Sequence, residues 1–202
     1  MKAETKKRAA KEAKRSRILD VAREVFEADG LEGASLRSIA TKAGYTPAAL
    51  YFHFDSKEAL YGELLQMSLT RLQAYVAASV ERLSAPEARF RAAVMAFYDF
   101  YEQNPKDLDL GFYLFHGGIR PSGLGRDWDP SLNAALMDAL SPMMEAAIAL
   151  SGDREAGERI TAATFAHATG LLLLAHTRRI NLFSVTAREL MEQFVAERLS
   201  QK

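Results

Sequence analysis

The sequence predicts an all-α chain in two parts: an N-terminal bundle of three short helices, then a larger helical block. Three observations carry that expectation. Apolar residues recur at helical spacing almost throughout, and the breaks between runs fall at glycine, proline and capping-type residues. No stretch alternates β-branched residues as a half-buried strand does.

Taken in order, the first element runs from Ser16 to Asp29. Ile18, Leu19, Ala22, Val25 and Phe26 fall on one helical face, and Gly30 and Gly33 follow as stop signals. Ser35 is an N-cap type for a second helix that turns Leu36, Ile39, Ala40 and Ala43 inward and ends at Gly44. A third helix starts at Thr46, with Pro47 where proline's missing N–H costs nothing. Asp55, with Glu58 three residues on, reads as the cap of a longer fourth helix with Leu60, Leu64, Met67, Leu72, Val76 and Leu83 along it.

Beyond it, Ser84-Ala-Pro86 opens a helix to about Gln103, closed by Asn104-Pro105. The apolar piece LDLGFYLFH follows, and then one long glycine- and proline-rich loop, Gly117 to Pro130. Helices over Ser131–Leu150, Asp153–Arg179 and Thr186–Gln201 complete the chain, the last with Thr186 and Glu189 as a capping pair. The expected organisation is a flexible basic tail at 1–15, a three-helix domain at 16–55 and a helical domain at 56–202.

With 202 residues the chain has ample length to bury a core. It has no cysteine, which excludes a disulfide framework and a thiolate metal site and suits a reducing cytoplasm. The start, MKAETKKRAAKEAKRSR, lacks the apolar stretch of a secretory signal. Apolar runs such as Leu171 to Ala175 are far short of the ~20 residues that span a bilayer. A soluble cytoplasmic protein without membrane partners is expected. A net charge of zero hides an asymmetry: residues 1–17 hold eight Lys/Arg against Glu4 and Glu12, so a basic end precedes an acidic body. Such an end suits a polyanion, since Lys and Arg near phosphates release condensed counterions.

Two short helices joined by a tight glycine-containing turn form a helix-turn-helix, whose second helix enters the DNA major groove. Ala43-Gly44-Tyr45 is the candidate turn and Thr46–Phe54 the candidate reading helix. At about 100° per residue, Phe54 shares Leu50's inward face, Phe52 points outward beside Ala48 and Ala49, and Tyr51 and His53 flank the core stripe.

The run GYTPAALYFHFDSKEAL (Gly44–Leu60), after Ile18-Leu19, Ala22, Phe26 and Gly30 and after SLRSIA (Ser35–Ala40), resembles the DNA-binding domain of TetR-type transcriptional regulators over roughly residues 16–65. The resemblance implies that Tyr51 and His53 meet the phosphate backbone. It also implies that Lys57 binds a phosphate at a helix N-terminus, that Arg37 reaches a base or phosphate, and that Ser35 caps or touches a phosphate. One departure stands out. Family members often carry Gln, Arg, Lys or Asn on the outward face of this helix, whereas here stand Pro47, Ala48, Ala49 and Phe52. None makes bidentate base hydrogen bonds, but Ala and Phe touch thymine methyls. Base readout is therefore expected from Arg37, Thr46, Tyr45 and methyl contacts, aided by DNA shape, with the basic tail available for minor-groove or phosphate contacts.

In the larger block the resemblance implies a small-molecule site and a two-fold dimer through the last two long helices. Small residues Ala163, Ala166 and Gly170 permit close helix approach, and with Leu171, Leu174, Leu190 and Phe194 they are the expected dimer face. Aromatic and polar candidates for an effector pocket are Phe97, Tyr98, Tyr101, Phe112, Phe115, His116, Trp128, Phe165 and His167, suggesting an apolar or aromatic effector. No cofactor or metal is expected: His167 and His176 lie about 180° apart around a helix, and the glycines of Gly117–Gly125 lack a phosphate loop's Gly-Lys-Ser/Thr ending. No catalytic arrangement stands out. The expected function is a dimeric, ligand-responsive repressor that binds a near-palindromic double-stranded operator. The alternative is a helical small-molecule-binding protein with a vestigial DNA-binding domain.

Overall fold

The computed structural model describes residues 2–111 and 124–200. Among these, the elements are helices α1 (Lys2–Gly33), α2 (Leu36–Ala43), α3 (Pro47–Tyr51), α4 (Lys57–Val80), α5 (Pro86–Gln103), α6 (Pro105–Gly111), α7 (Asp129–Ser151), α8 (Arg154–His176) and α9 (Ala187–Ser200), with a 3-10 turn at Arg179–Leu182. The chain is all-α, as the periodicity predicts. It divides into two compact units, one of Met1–Ser68 with Lys106–Leu132 and one of Leu69–Pro105 with Asn133–Lys202.

In the first unit, α1 begins at Lys2, not Ser16, so the segment expected to be a flexible tail is helical. Its Ala, Lys, Glu and Arg residues are strong helix formers, and this propensity carries the helix through a stretch with no apolar stripe. Ile18, Leu19, Ala22, Val25 and Phe26 are buried as expected. Gly30 kinks α1 with φ 68° and ψ 176°, a backbone conformation other residues rarely adopt. Ser35 caps α2 through a reciprocal box with Ser38, and Gly44 closes it in the left-handed region at φ 77°. Arg17 Nε donates to the Ala43 carbonyl at that same end (3.3 Å).

The fourth helix departs from expectation at both ends. Its cap is Ser56, whose hydroxyl accepts from the Ala59 amide at 3.0 Å, not Asp55. Its C-terminus is Val80, so Leu83 lies in the following turn, and Met67 on the helix is exposed. Leu60, Tyr61 and Leu64 are buried, with Tyr61 edge-on to Phe26 (5.0 Å between centroids) and its hydroxyl donating to the Leu110 carbonyl (3.0 Å). Arg23 pairs with the nearly buried Asp107 of α6 at 3.0 Å.

In the second unit, α5, α8 and α9 pack on one another, burying Phe90, Val94, Phe97, Leu171, Leu172, Met191 and Val195. α7 and α8 meet closely at Gly157, where an added Cβ would lie 2.4 Å from Ile148 Cγ1. α7 contains Pro142, which cannot donate to the Asp138 carbonyl; the Ser141 hydroxyl donates to that oxygen instead, at 2.9 Å. By length and mean hydropathy alone, α7 is the one described helix long and apolar enough to cross a bilayer, a test that core helices also pass. Its Ala139, Leu140, Met143, Ala146 and Ala147 are buried, the ordinary reason for a core helix to be apolar. α8 is capped by Asp153, whose carboxylate accepts from the Ala156 amide at 2.7 Å, and ends at His176, three residues earlier than expected.

Candidate nucleic-acid interface

The turn between α2 and α3 is closed by backbone hydrogen bonds. The Tyr45 amide donates to the Ala40 carbonyl (2.9 Å) and the Gly44 amide to the Thr41 carbonyl (3.1 Å), which folds the chain back sharply. Thr46 then caps α3, its hydroxyl accepting from the Ala49 amide at 3.2 Å, with Pro47 in the first turn. α3 covers five residues only, shorter than the expected Thr46–Phe54, because the chain leaves helical form through a turn at Phe52–His53.

The inward and outward faces divide as the helical angles require. Leu50 and Phe54 are buried, whereas Phe52 is 77% exposed and Tyr51 57%. Pro47, Ala48 and Ala49 are exposed beside them, so the outward face of α3 is nearly all hydrocarbon. His53 is half-buried, its ring edge-on to Phe52 at 5.4 Å. Tyr45 is half-buried. Arg37 is exposed on α2 with no carboxylate or carbonyl partner for its guanidinium among the described residues.

Two expected phosphate ligands are already engaged. The Lys57 ammonium donates to the Leu31 and Glu32 carbonyls at 2.8 and 3.2 Å, at the end of α1. A lysine there satisfies carbonyls that the helix leaves without donors, so its first role is to close α1. The Ser35 hydroxyl is taken by Ser38, so it serves as a cap.

Contacts between chain-distant residues escape sequence reading. Lys11 places its ammonium 5.6 Å from the Phe52 ring centroid. Arg15 lies 5.0 Å from the Phe54 centroid and makes two hydrogen bonds to the Glu63 carboxylate. Their only signal in the sequence is the basic composition of the first residues. Trp128, expected at a pocket, lies half-buried against Gly62, where a Cβ would approach the indole to 2.4 Å. The glycine clears a place for the ring.

In the second unit, Phe97, Tyr101 and Phe165 form an edge-to-face cluster with centroids 5.2 and 5.7 Å apart, and Phe97 and Tyr101 are buried as core. Tyr98 is fully buried and its hydroxyl lacks a partner of hydrogen-bond geometry. Burial, then the charge of nearby Glu102, pushes its pKa up to about 12. Arg188 spans Asp99 and Glu102 at 2.5 Å each and lies over the Tyr98 ring, an assembly no local pattern announced. His167 stacks on Phe194 (4.1 Å, 14° between planes), with Nε2 buried and unpartnered. Burial holds its pKa below the ordinary histidine value. Phe112, Phe115 and His116 lie outside the described residues.

Of the expected dimer face, Ala163, Ala166 and Gly170 are exposed, while Leu174, Leu190 and Phe194 are half-buried. Leu171 faces the chain's own core, 5% exposed, so the side chain that small neighbours frame is Leu173 instead, 44% exposed. No cluster of three His, Cys, Asp or Glu residues suited to a metal occurs among the described residues.

A family model for bacterial regulatory proteins of the tetR family matches residues 18–64, the span just described. The HTH-type transcriptional activator FasR of Mycolicibacterium smegmatis is 35% identical over 105 residues, covering 52% of this chain and 48% of FasR. The chain thus spans about half the length of that relative. An uncharacterized HTH-type transcriptional regulator of Pseudomonas putida, TtgW, is 36% identical over 120 residues, covering 58% of this chain and 86% of TtgW. A solved bacterial regulatory protein in the tetR family from Rhodococcus RHA1 shares the fold, with TM-score 0.68 and 20% identity over 93% of this chain and 95% of that one. This all-α chain, with an exposed helix set across a tight turn, carries a helix-turn-helix and is similar to HTH-type transcriptional regulators. It belongs to the TetR family.

Proposed function

We propose that the protein is a cytoplasmic, ligand-responsive repressor that binds a near-palindromic operator as a homodimer and is released by a small apolar or aromatic effector. The observation that carries the DNA reading is the exposed outward face of α3, Pro47-Ala48-Ala49 with Phe52, beside the unpaired Arg37. A contiguous hydrocarbon face on this helix suits a covering partner, and thymine methyls are its natural complement. Arg37, Thr46 and Tyr45 supply the polar contacts, and Tyr51 and His53 the phosphate contacts. The dimer is proposed through the exposed small residues of α8 and the half-buried Leu190 and Phe194 of α9.

The effector reading rests on the Phe97, Tyr101 and Phe165 ring cluster, an aromatic setting of the kind that lines pockets for apolar ligands. Release works only if the effector prefers a form of the protein that fits the operator poorly.

The test is a mobility shift on duplexes selected from a random library, then on the promoter that carries the selected sequence. A salt-dependent shift, lost in Arg37→Ala and weakened in Phe52→Ala, is expected. Retention of full affinity in both variants would overturn this account of the reading face. A reporter that rises when the gene is deleted supports repression, and one that falls marks an activator.

A further inference from the structure

We propose that the N-terminal turns of α1 form a second DNA-contacting element, a basic helical stripe that binds backbone phosphates beside the reading face of α3. The inference rests on the DNA-binding reading above and specifies a surface outside the helix-turn-helix. α1 is continuous from Lys2, so its cations are carried on a regular helix. At about 100° per residue, Arg8, Lys11, Lys14 and Arg15 fall within an arc of about 120°. Glu12, the one carboxylate between residues 5 and 19, lies about 40° beyond Arg8 at the edge of this arc and forms no ion pair with Arg8, Lys11 or Lys14.

Two contacts fix which way this stripe faces. Lys11 sits over the ring of Phe52, the same ring that stands out from α3, and Arg15 sits over Phe54 while bonded to Glu63. The stripe therefore runs along the side of the domain from which Phe52 projects. Glu63 neutralises Arg15. Arg8, Lys11 and Lys14 are exposed and have no carboxylate partner among the described residues. Three uncompensated charges in one arc repel one another, and an exposed cation–π contact contributes only about 0.5–1 kcal/mol to hold one of them. A polyanion at this place gathers all three, each neutralised phosphate releasing a counterion.

The experiment uses the full chain with Arg8, Lys11 and Lys14 all changed to glutamine, which keeps helix propensity while removing the charge. Affinity for a library-selected duplex and for a scrambled duplex is measured across a salt series. The slope of log affinity against log salt is expected to become shallower by about two to three per protomer bound, from 0.9 per phosphate contact. The ratio of selected to scrambled affinity is expected to stay as in the wild type. An unchanged slope overturns the proposal. A shallower slope with a collapsed ratio also overturns it, because the extension then merely positions α3. Failure of the wild-type chain to bind any duplex would instead overturn the DNA reading itself.

Discussion

The ammonium of Lys57, in the first turn of α4, lies 2.8 Å from the carbonyl oxygen of Leu31 near the end of α1. The sequence places a lysine where an anion is welcome, at a helix N-terminus, but the side chain reaches the opposite pole of another helix. It thereby ties α1 to the corner that carries α3. Lys57→Met should lower unfolding stability by about 1 kcal/mol, seen as a lower urea midpoint, with Lys57→Arg partly restoring it. A variant as stable as the wild type, yet with a shallower salt dependence of DNA binding, would mean that phosphate is its main partner after all.

Gly62 is a place-maker for the chain's single tryptophan. Gly62→Ala would normally favour a helix by about 1 kcal/mol, but here the new methyl meets the Trp128 indole. Overpacking costs about 1–3 kcal/mol, so net destabilisation is expected, accompanied by a change in tryptophan emission as the ring is displaced. Stabilisation with an unaltered spectrum would refute the close approach.

Arg23 and Asp107 form a pair whose carboxylate end is the more deeply buried. Removing the arginine takes one charged hydrogen bond from that buried carboxylate, so Arg23→Gln should cost about 2 kcal/mol. A double-mutant cycle with Asp107→Asn should show positive coupling, and additivity of the two single losses would argue against the pair.

His167 sets a pH dependence with a definite sign. Burial, its largest influence, lowers the folded pKa, opposed by a hydrogen bond with the Leu190 backbone and reinforced by Arg198, while Glu197 raises it. The unfolded chain takes up the proton first as pH falls. The stabilisation from the neutral ring is therefore complete above about pH 6.5 and is lost as pH drops through the folded pKa. Melting temperatures at about pH 8 and about pH 5 should diverge less in His167→Phe than in the wild type. Equal divergence in both proteins would remove His167 as the cause.

Much of the fold was legible because its signals are local. Ser35, Gly44, Thr46 with Pro47, Asp153, and Thr186 with Glu189 act over three or four residues, and each stands where its spacing predicts. The outward direction of Phe52 followed from helical angle alone. The use of Ser56 instead of Asp55 did not, because both residue types cap helices and Glu58, three residues past Asp55, favours Asp55. The helical state of residues 2–15 was missed because high propensity without an apolar stripe leaves no periodic signal. Arg188 with Asp99, Arg15 with Glu63, and Trp128 on Gly62 join residues far apart in the chain. Nothing in the neighbouring sequence of one partner points to the other.

The exposed hydrocarbon of α3 gives association with a duplex a thermal signature. Where Phe52 and the two alanines are dehydrated against thymine methyls, binding lowers the heat capacity of the system. Ion-pair contacts to phosphates respond chiefly to salt, so temperature and ionic strength become separate handles on the two kinds of contact. A calorimetric series with wild type and Phe52→Ala should show a less negative heat-capacity change in the variant. Replacing thymine with uracil at the contacted positions should mimic it from the DNA side.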